Sequence, residues 1–273
     1  MLGTKAKTIR AAHAGALWRI ASARMPTTWG TFDVIGFERD ISNGTARVET
    51  ALAIVMGDLI KGAPLLRIHS QCVTGELLGS LRCDCRDQLG MAMQAIAEEG
   101  RGLVIYEYQE GRGIGLMAKL EAYELQDAGL DTVEANHALG FKADCRDFSL
   151  SAAIVRELGI KRVRLLSNNP RKASALRENG VEVTTVLGCE AAPNSHSLTY
   201  LRTKKERMGH ALSLGMAKAR TEEEICVRCD LVGWRTGCPV CEGLDHNRVV
   251  DISLQARDRG LARISSVDKG NRR

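Results

Sequence analysis

"FSLSAAIVRELGIKRVRLLSNNPRKASALRENGVEVTTV", residues 148–186, alternates between two kinds of segment. "FSLSAAIVRELG" reads as a helix that stops at Gly159, and "RVRLLS" as a short apolar strand. After the loop "NNP", "RKASALRENG" reads as a second helix and "VEVTTV" as a second strand. Such alternation is the mark of an α/β unit. Upstream, "DQLGMAMQAIAEEG" (87–100) has helical spacing of apolar residues and stops at a glycine. "GLVIYEY" (102–108) is a buried-type strand that runs into the glycine-rich "QEGRGIG", and "LMAKLEAYELQDAG" (116–129) is a further helix. At the start, "TFDVIGFERD" and "TARVETALAIVM" are strands separated by "ISNG", whose Asn43-Gly44 pair signals a hairpin. The expectation is a mixed α/β (α+β) fold that begins with antiparallel sheet.

A last helix is expected around "TKKERMGHALSL" (203–214), followed by the charged stretch "ARTEEE". The chain then divides into a basic N-terminal extension (1–26), a main domain (27–215), a small cysteine module (222–246) and a charged tail (247–273). With 273 residues, 44% of them hydrophobic, a sizeable core is available. No apolar run approaches the roughly 20 residues that a membrane crossing needs. The first 24 residues lack a secretory signal, but they carry Lys5, Lys7, Arg10, Arg19 and Arg24 with no acid before Asp33. That pattern fits an organelle transit peptide or a plain basic extension, and a cytoplasmic address is the expectation. The net charge of +5 suits an anionic small molecule and does not by itself argue for nucleic acid.

Seven of the nine cysteines fall in two groups: Cys72, Cys83 and Cys85, then Cys226, Cys229, Cys238 and Cys241. In a reducing compartment such clusters mean metal more often than disulfide. The first group offers three thiolates and no obvious fourth ligand. Three protein ligands with one open position is the arrangement of a catalytic zinc, whereas His69 or a distant residue would close the site. Spacing leaves both open.

Around that group lie candidate anion contacts. "YQEGRGIGLMAK" fails as a dinucleotide fingerprint, because Leu116 falls where the third glycine belongs. What remains is a flexible loop, with Glu110 and Arg112, at the start of a helix whose free N–H groups favour an anion. In "SNNPRKA", Asn169 can cap a helix with Pro170 at its first position, which leaves Ser167 and Lys172 at the same end. "KADCRDF" supplies Asp144 as a base candidate and Arg146 as an anion clamp.

Taken together, "LRIHSQCVTGELLGSLRCDCRDQL", "YQEGRGIGL", "AYELQDAGLDTVEANHALGFKADCRDF" and "LLSNNPRKASAL" resemble the successive signatures of GTP cyclohydrolase II. With "TWGTFDVIGF" and "TKKERMGH", the resemblance spans about residues 27–212. It implies zinc-dependent opening of the imidazole ring of GTP, the first step of riboflavin biosynthesis. Formate and diphosphate would leave, and the product would be a diaminopyrimidinone ribosyl monophosphate. It also implies a homodimer and magnesium with the triphosphate.

By the same resemblance, Cys72, Cys83 and Cys85 hold the catalytic zinc. Arg67, Ile68, His69, Ser70, Gln71, Gln88, Glu110, Gly111, Arg112, Thr132, Ser167 and Lys172 contact GTP. Asp144 is the proton acceptor, Arg146 the nucleophile, and Tyr123 handles the opened ring. A guanidinium stays charged at any ordinary pH, so electrostatic stabilisation is the physically cheaper role for Arg146. Two positions depart from the family pattern: Gln71 stands where glutamate is common, and Ser167 where threonine is. These departures leave room for a paralogue with a different or formylated product.

Cys226-x2-Cys229-x8-Cys238-x2-Cys241 is a paired-knuckle pattern that closes a tetrahedral, structural zinc site. A module this small needs the metal for its folding energy. It lies outside the cyclohydrolase pattern, and its partner is open. A nucleic-acid-binding or regulatory protein on a dead enzyme scaffold is the remaining alternative.

Overall fold

The computed structural model describes residues 15–41, 48–191 and 193–213. The four-cysteine module, the charged tail and the Asn43-Gly44 turn lie outside these residues. Among the described residues the strands form one seven-stranded sheet. Three long strands come first: β1 (Leu17–Thr27), β2 (Gly30–Asp40) and β3 (Val48–Met56), each antiparallel to the next. β1 begins inside the segment read as a basic extension, so residues 17–26 belong to the sheet.

The remaining strands are β4 (Leu65–Ser70), β5 (Gly102–Glu107), β6 (Arg162–Leu166) and β7 (Glu182–Leu187). The order across the sheet is β1-β2-β3-β5-β4-β6-β7. β5 pairs antiparallel with β3 and parallel with β4, and it is where the sheet changes character. From β5 to β7 all neighbours run parallel. Their C-terminal ends therefore share one edge, the place where ligands bind in open α/β sheets.

Strand alternation sends side chains to two cores. Leu66, Ile68, Leu103 and Ile105 pack with α5 (Ser149–Glu157) and α6 (Pro170–Glu178) in one cluster. Leu65 and Val104 pack with Ala92, Met93 and Ile96 of α2 (Cys85–Glu99) in the other. Burial on both faces explains why β5 reads as an unbroken apolar run. α2 stops where expected, since Gly100 adopts the left-handed conformation at φ 67°.

The other helices are α1 (Val73–Glu76), α3 (Leu116–Asp127), α4 (Thr132–Ala138) and α7 (Leu198–Met208). α4 carries a capping box, with Asp131 and Glu134 bonding each other's backbone N–H groups. α7 starts five residues earlier than "TKKERM" suggests and ends at Gly209, φ 65°.

Candidate active site

The C-terminal edge of β4 and β5 opens into a cleft with an empty volume of about 940 Å³, its solvent-open mouth included. β4 delivers Arg67, His69 and Ser70 to its wall, and the chain continues directly into Gln71 and Cys72. Cys83 and Cys85 arrive from the start of α2, closing a loop back onto Cys72. The sulfurs of the three cysteines lie within 4.8 Å of one another, with Cys72 and Cys83 at 3.6 Å. Among the described residues this is the one cluster of three or more His, Cys, Asp or Glu side chains close enough to share an ion.

His69 does not complete the cluster. Its Nε2 bonds Glu76 Oε1 at 2.8 Å, and its ring stacks on Tyr106 with centroids 5.8 Å apart. Burial lowers its pKa to about 4, so the ring is neutral. The three thiols thus face the cleft without a fourth protein donor among the described residues. Gly75 makes the close approach possible: a Cβ there would lie 2.7 Å from Cys83 Sγ and 3.3 Å from Cys72 Sγ. Hydrogen bonds from Cys83 and Cys85 hold the Cys72 thiol well below its ordinary range, while the same sharing pushes Cys83 up to about 11. Soft sulfur donors, a half-buried setting and an open side fit a zinc ion.

Lys119 of α3 binds the thiol group to the glycine loop. Its Nζ donates to Cys72 Sγ at 3.1 Å, to Thr74 Oγ1 at 2.8 Å and to Glu110 Oε1 at 2.8 Å. Glu110 in turn accepts from Val73 N at 2.6 Å. Its carboxylate therefore anchors the loop. Arg112, two residues on, is the one non-glycine residue with positive φ among those described, at 60°. Such a backbone costs on the order of 1 kcal/mol and needs a reason. Nη1 and Nη2 of Arg112 are buried with no hydrogen-bond partner, and the guanidinium lies over the Tyr200 ring at 5.1 Å.

The N-terminal end of α6 forms the opposite wall. As expected from the sequence, Asn169 caps it through Arg171 N at 3.0 Å, with Pro170 in the first turn. Ser167 and the buried Lys172 also line the cleft, and Lys172 Nζ donates to the Ile68 carbonyl at 2.8 Å. The Ile68 side chain is fully buried in the core, and Ile68, expected among the GTP contacts, is not among the residues that line the cleft. Gln88, Gly111, Thr132, Tyr123 and Arg146 complete the set of expected residues on this cleft.

Asp144 does not line this cleft but a neighbouring cavity that shares Asn169 and His210 with it. Its carboxylate receives Arg146 Nε at 2.9 Å and Nη2 at 2.7 Å, and Arg171 Nη1 lies 3.2 Å away. Burial works to raise the Asp144 pKa, but the Arg146 guanidinium outweighs it and holds the group at about 2. Tyr123 moves the other way. Burial carries its phenol to about 12, beneath the Arg82 guanidinium at 4.8 Å.

Sequence reading missed several residues here. Lys119 is hidden in an ordinary amphipathic helix, and Gly75 has no unusual φ to betray it. Tyr200, Lys204 and His210 reach the cleft from α7 and the turn after it. Lys204 and His210 fall in "TKKERMGH", read as a helix and as part of the family resemblance but with no role for either residue, and Tyr200 lies outside that motif.

Residues 18–188 match the family model described as GTP cyclohydrolase II. The chain belongs to the GTP cyclohydrolase II family. It is 47% identical over 205 residues to GTP cyclohydrolase-2 of Shewanella amazonensis, a match covering 75% of this chain and 98% of that protein. It is 50% identical over 198 residues to GTP cyclohydrolase-2 of Escherichia coli, covering 72% and 98%. The riboflavin biosynthesis protein RibBA of Cytophaga hutchinsonii matches at 48% over 204 residues, 74% of this chain but 49% of that longer protein. Membership of the GTP cyclohydrolase II family makes the chain a metal-dependent enzyme. Among the described residues no helix is long and apolar enough to cross a membrane.

Proposed function

We propose that this chain hydrolyses GTP in riboflavin biosynthesis, opening the imidazole ring with loss of formate and diphosphate. The observation that carries this reading is a contrast inside one cleft. Three thiols without a fourth protein donor among the described residues face five cationic side chains (Arg67, Arg112, Lys119, Arg146 and Lys204), together with Lys172, whose pKa burial and the neighbouring Arg67 and Arg146 push well below the ordinary range, and a single lining carboxylate, Glu110, already paired with Lys119. A soft metal site beside a concentrated positive field suits a purine nucleoside triphosphate.

Cys72, Cys83 and Cys85 would hold zinc. Bound zinc would supply Lewis acidity and an acidified water beside the carbon that leaves as formate. The unpartnered Arg112 guanidinium, Lys172 and the Ser167 hydroxyl bind the triphosphate, which brings magnesium with it. Tyr123, protonated at any physiological pH, donates a proton or hydrogen bond to the opening ring. Arg146 stabilises charge at the phosphorus undergoing hydrolysis. Asp144 holds its guanidinium in one orientation and charged, since the pairing raises the Arg146 pKa further. A carboxylate already paired this firmly is a poor proton acceptor, which favours the electrostatic role over a covalent one. A homodimer in the cytoplasm, with a structural zinc module at residues 222–246, completes the proposal.

The test is to incubate zinc-loaded protein with GTP and magnesium and measure formate, diphosphate and pyrimidine together. Equal formate and diphosphate support the reading. Diphosphate without formate would instead assign a formylated product, and neither product would defeat it.

A further inference from the structure

Asp84 lies between two of the three cysteines and is buried, 5% exposed. It occupies the N-cap position of α2, where an aspartate ordinarily accepts a hydrogen bond from the helix backbone, but its side chain makes no such bond. Both carboxylate oxygens are used elsewhere. Oδ1 accepts from Lys204 Nζ at 2.8 Å, and Oδ2 from Gln88 Nε2. Gln88 accepts in turn from Arg67 Nη2, and Arg67 Nη1 donates to the Leu166 carbonyl at 3.2 Å. The peptide carrying Cys83 and Cys85 is thereby tied to α7 on one side and to the end of β6 on the other.

Lys204 lies beyond residues 18–188, in a helix held on several sides. Leu201 is buried, Arg207 pairs with Asp131, and Ala211 N donates to the Asn168 carbonyl at 2.9 Å. Lys204 itself is 7% exposed and lies over the Tyr200 ring at 4.3 Å. Held through both carboxylate oxygens, Asp84 restrains the stretch of backbone on which Cys83 and Cys85 stand, and a backbone shift at Asp84 would carry both sulfurs with it.

We propose that Lys204 is a positioning residue for the thiol group: through Asp84 it fixes the Cys83-Asp84-Cys85 loop, so that α7 sets the geometry of the metal site. The proposal rests on the reading that Cys72, Cys83 and Cys85 hold a metal. The experiment uses the full chain loaded with cobalt(II), whose thiolate charge-transfer and ligand-field bands report sulfur geometry, alongside zinc affinity by chelator competition. The bands lost in Cys83→Ser belong to this site, and if Cys83→Ser loses none, the metal reading itself fails.

Lys204→Met is expected to alter those bands and to weaken zinc by about 10–100-fold, the usual scale for groups that orient metal ligands. Lys204→Arg should restore part of both. Should Lys204→Met not fold, the double variant Lys204→Met/Asp84→Asn removes both buried charges, and the same altered bands are expected from it. Parent-like bands and zinc affinity in whichever of these variants folds would overturn the proposal. Neither readout involves substrate, so a lysine that only touches GTP would leave both unchanged.

Discussion

Arg146 Nε and Nη2 donate in parallel to the two oxygens of Asp144, at 2.9 and 2.7 Å, across a single intervening cysteine. A fork of this kind fixes the plane of the guanidinium as well as its charge. Replacing Asp144 with asparagine leaves the Arg146 charge buried without its counter-ion. The Asp144 pKa is about 2 when folded and 3.8 in the ordinary state, so its stabilising effect is present above about pH 4 and disappears as pH falls toward 2. Urea unfolding should show Asp144→Asn less stable than the parent by about 2 kcal/mol at pH 7, with the gap closing near pH 2. An equal gap at both pH values would contradict the assignment.

For Arg146, the planar fork matters more than the charge. Arg146→Lys keeps a cation but cannot pair with both oxygens of Asp144. Diphosphate release, followed by a coupled phosphate assay, should be abolished, and near-normal release would refute the role.

In the proposed reaction, Tyr123 serves the ring-opening half. Tyr123→Phe should slow formate release by about 10²–10⁴-fold while diphosphate release continues. Because its phenol titrates at about 12, no alkaline limb from this group is expected in the activity profile below about pH 11. Parallel loss of both products would assign Tyr123 to binding instead.

At Arg112 the backbone and the side chain make opposite demands. Arg112→Gly relieves the positive φ and deletes the guanidinium. Thermal unfolding should place the variant within about 1 kcal/mol of the parent. The KM for GTP should rise by about 10–100-fold, the worth of a charged hydrogen-bonding contact. A large loss of stability would mean that the side chain serves the fold.

Gly75 tests the thiol cluster through space alone. Gly75→Ala adds a methyl where Cys83 Sγ stands 2.7 Å away, on a backbone that alanine tolerates. Zinc retained after dialysis against a chelator should fall at the three-thiol site and persist at the four-cysteine module. Full retention at both would show that the sulfurs have room to move.

Much of this was legible in the chain. The helix and strand run from Phe148 to Val186 follows from periodicity and glycine stops, and Asn169-Pro170 announces its own cap. The three cysteines suggest a metal site by spacing, which leaves a closed and an open site equally possible, and the family resemblance implies the open one. Only the pairing of His69 with Glu76 removes that candidate fourth ligand. β4 escaped notice because "LRIHS" carries Arg67 and His69 on a fully buried strand, contrary to the usual pattern. Lys204 and Asp84 stayed hidden for a different reason. Their partnership joins segments far apart in the chain, and no local pattern records it.

The parallel half of the sheet also sets a timetable. β4 pairs with β6 through Leu65↔Arg164 and Leu66↔Leu165, and α7 must still dock after that. A ribosome adds about 5–20 residues per second, so the cysteines emerge on the order of ten seconds before Lys204 exists. During that interval the nascent chain presents three thiols without the walls that later enclose them. Thiols met by an oxidant in the meantime would yield a chain of correct sequence that cannot bring its three sulfurs together as free thiols.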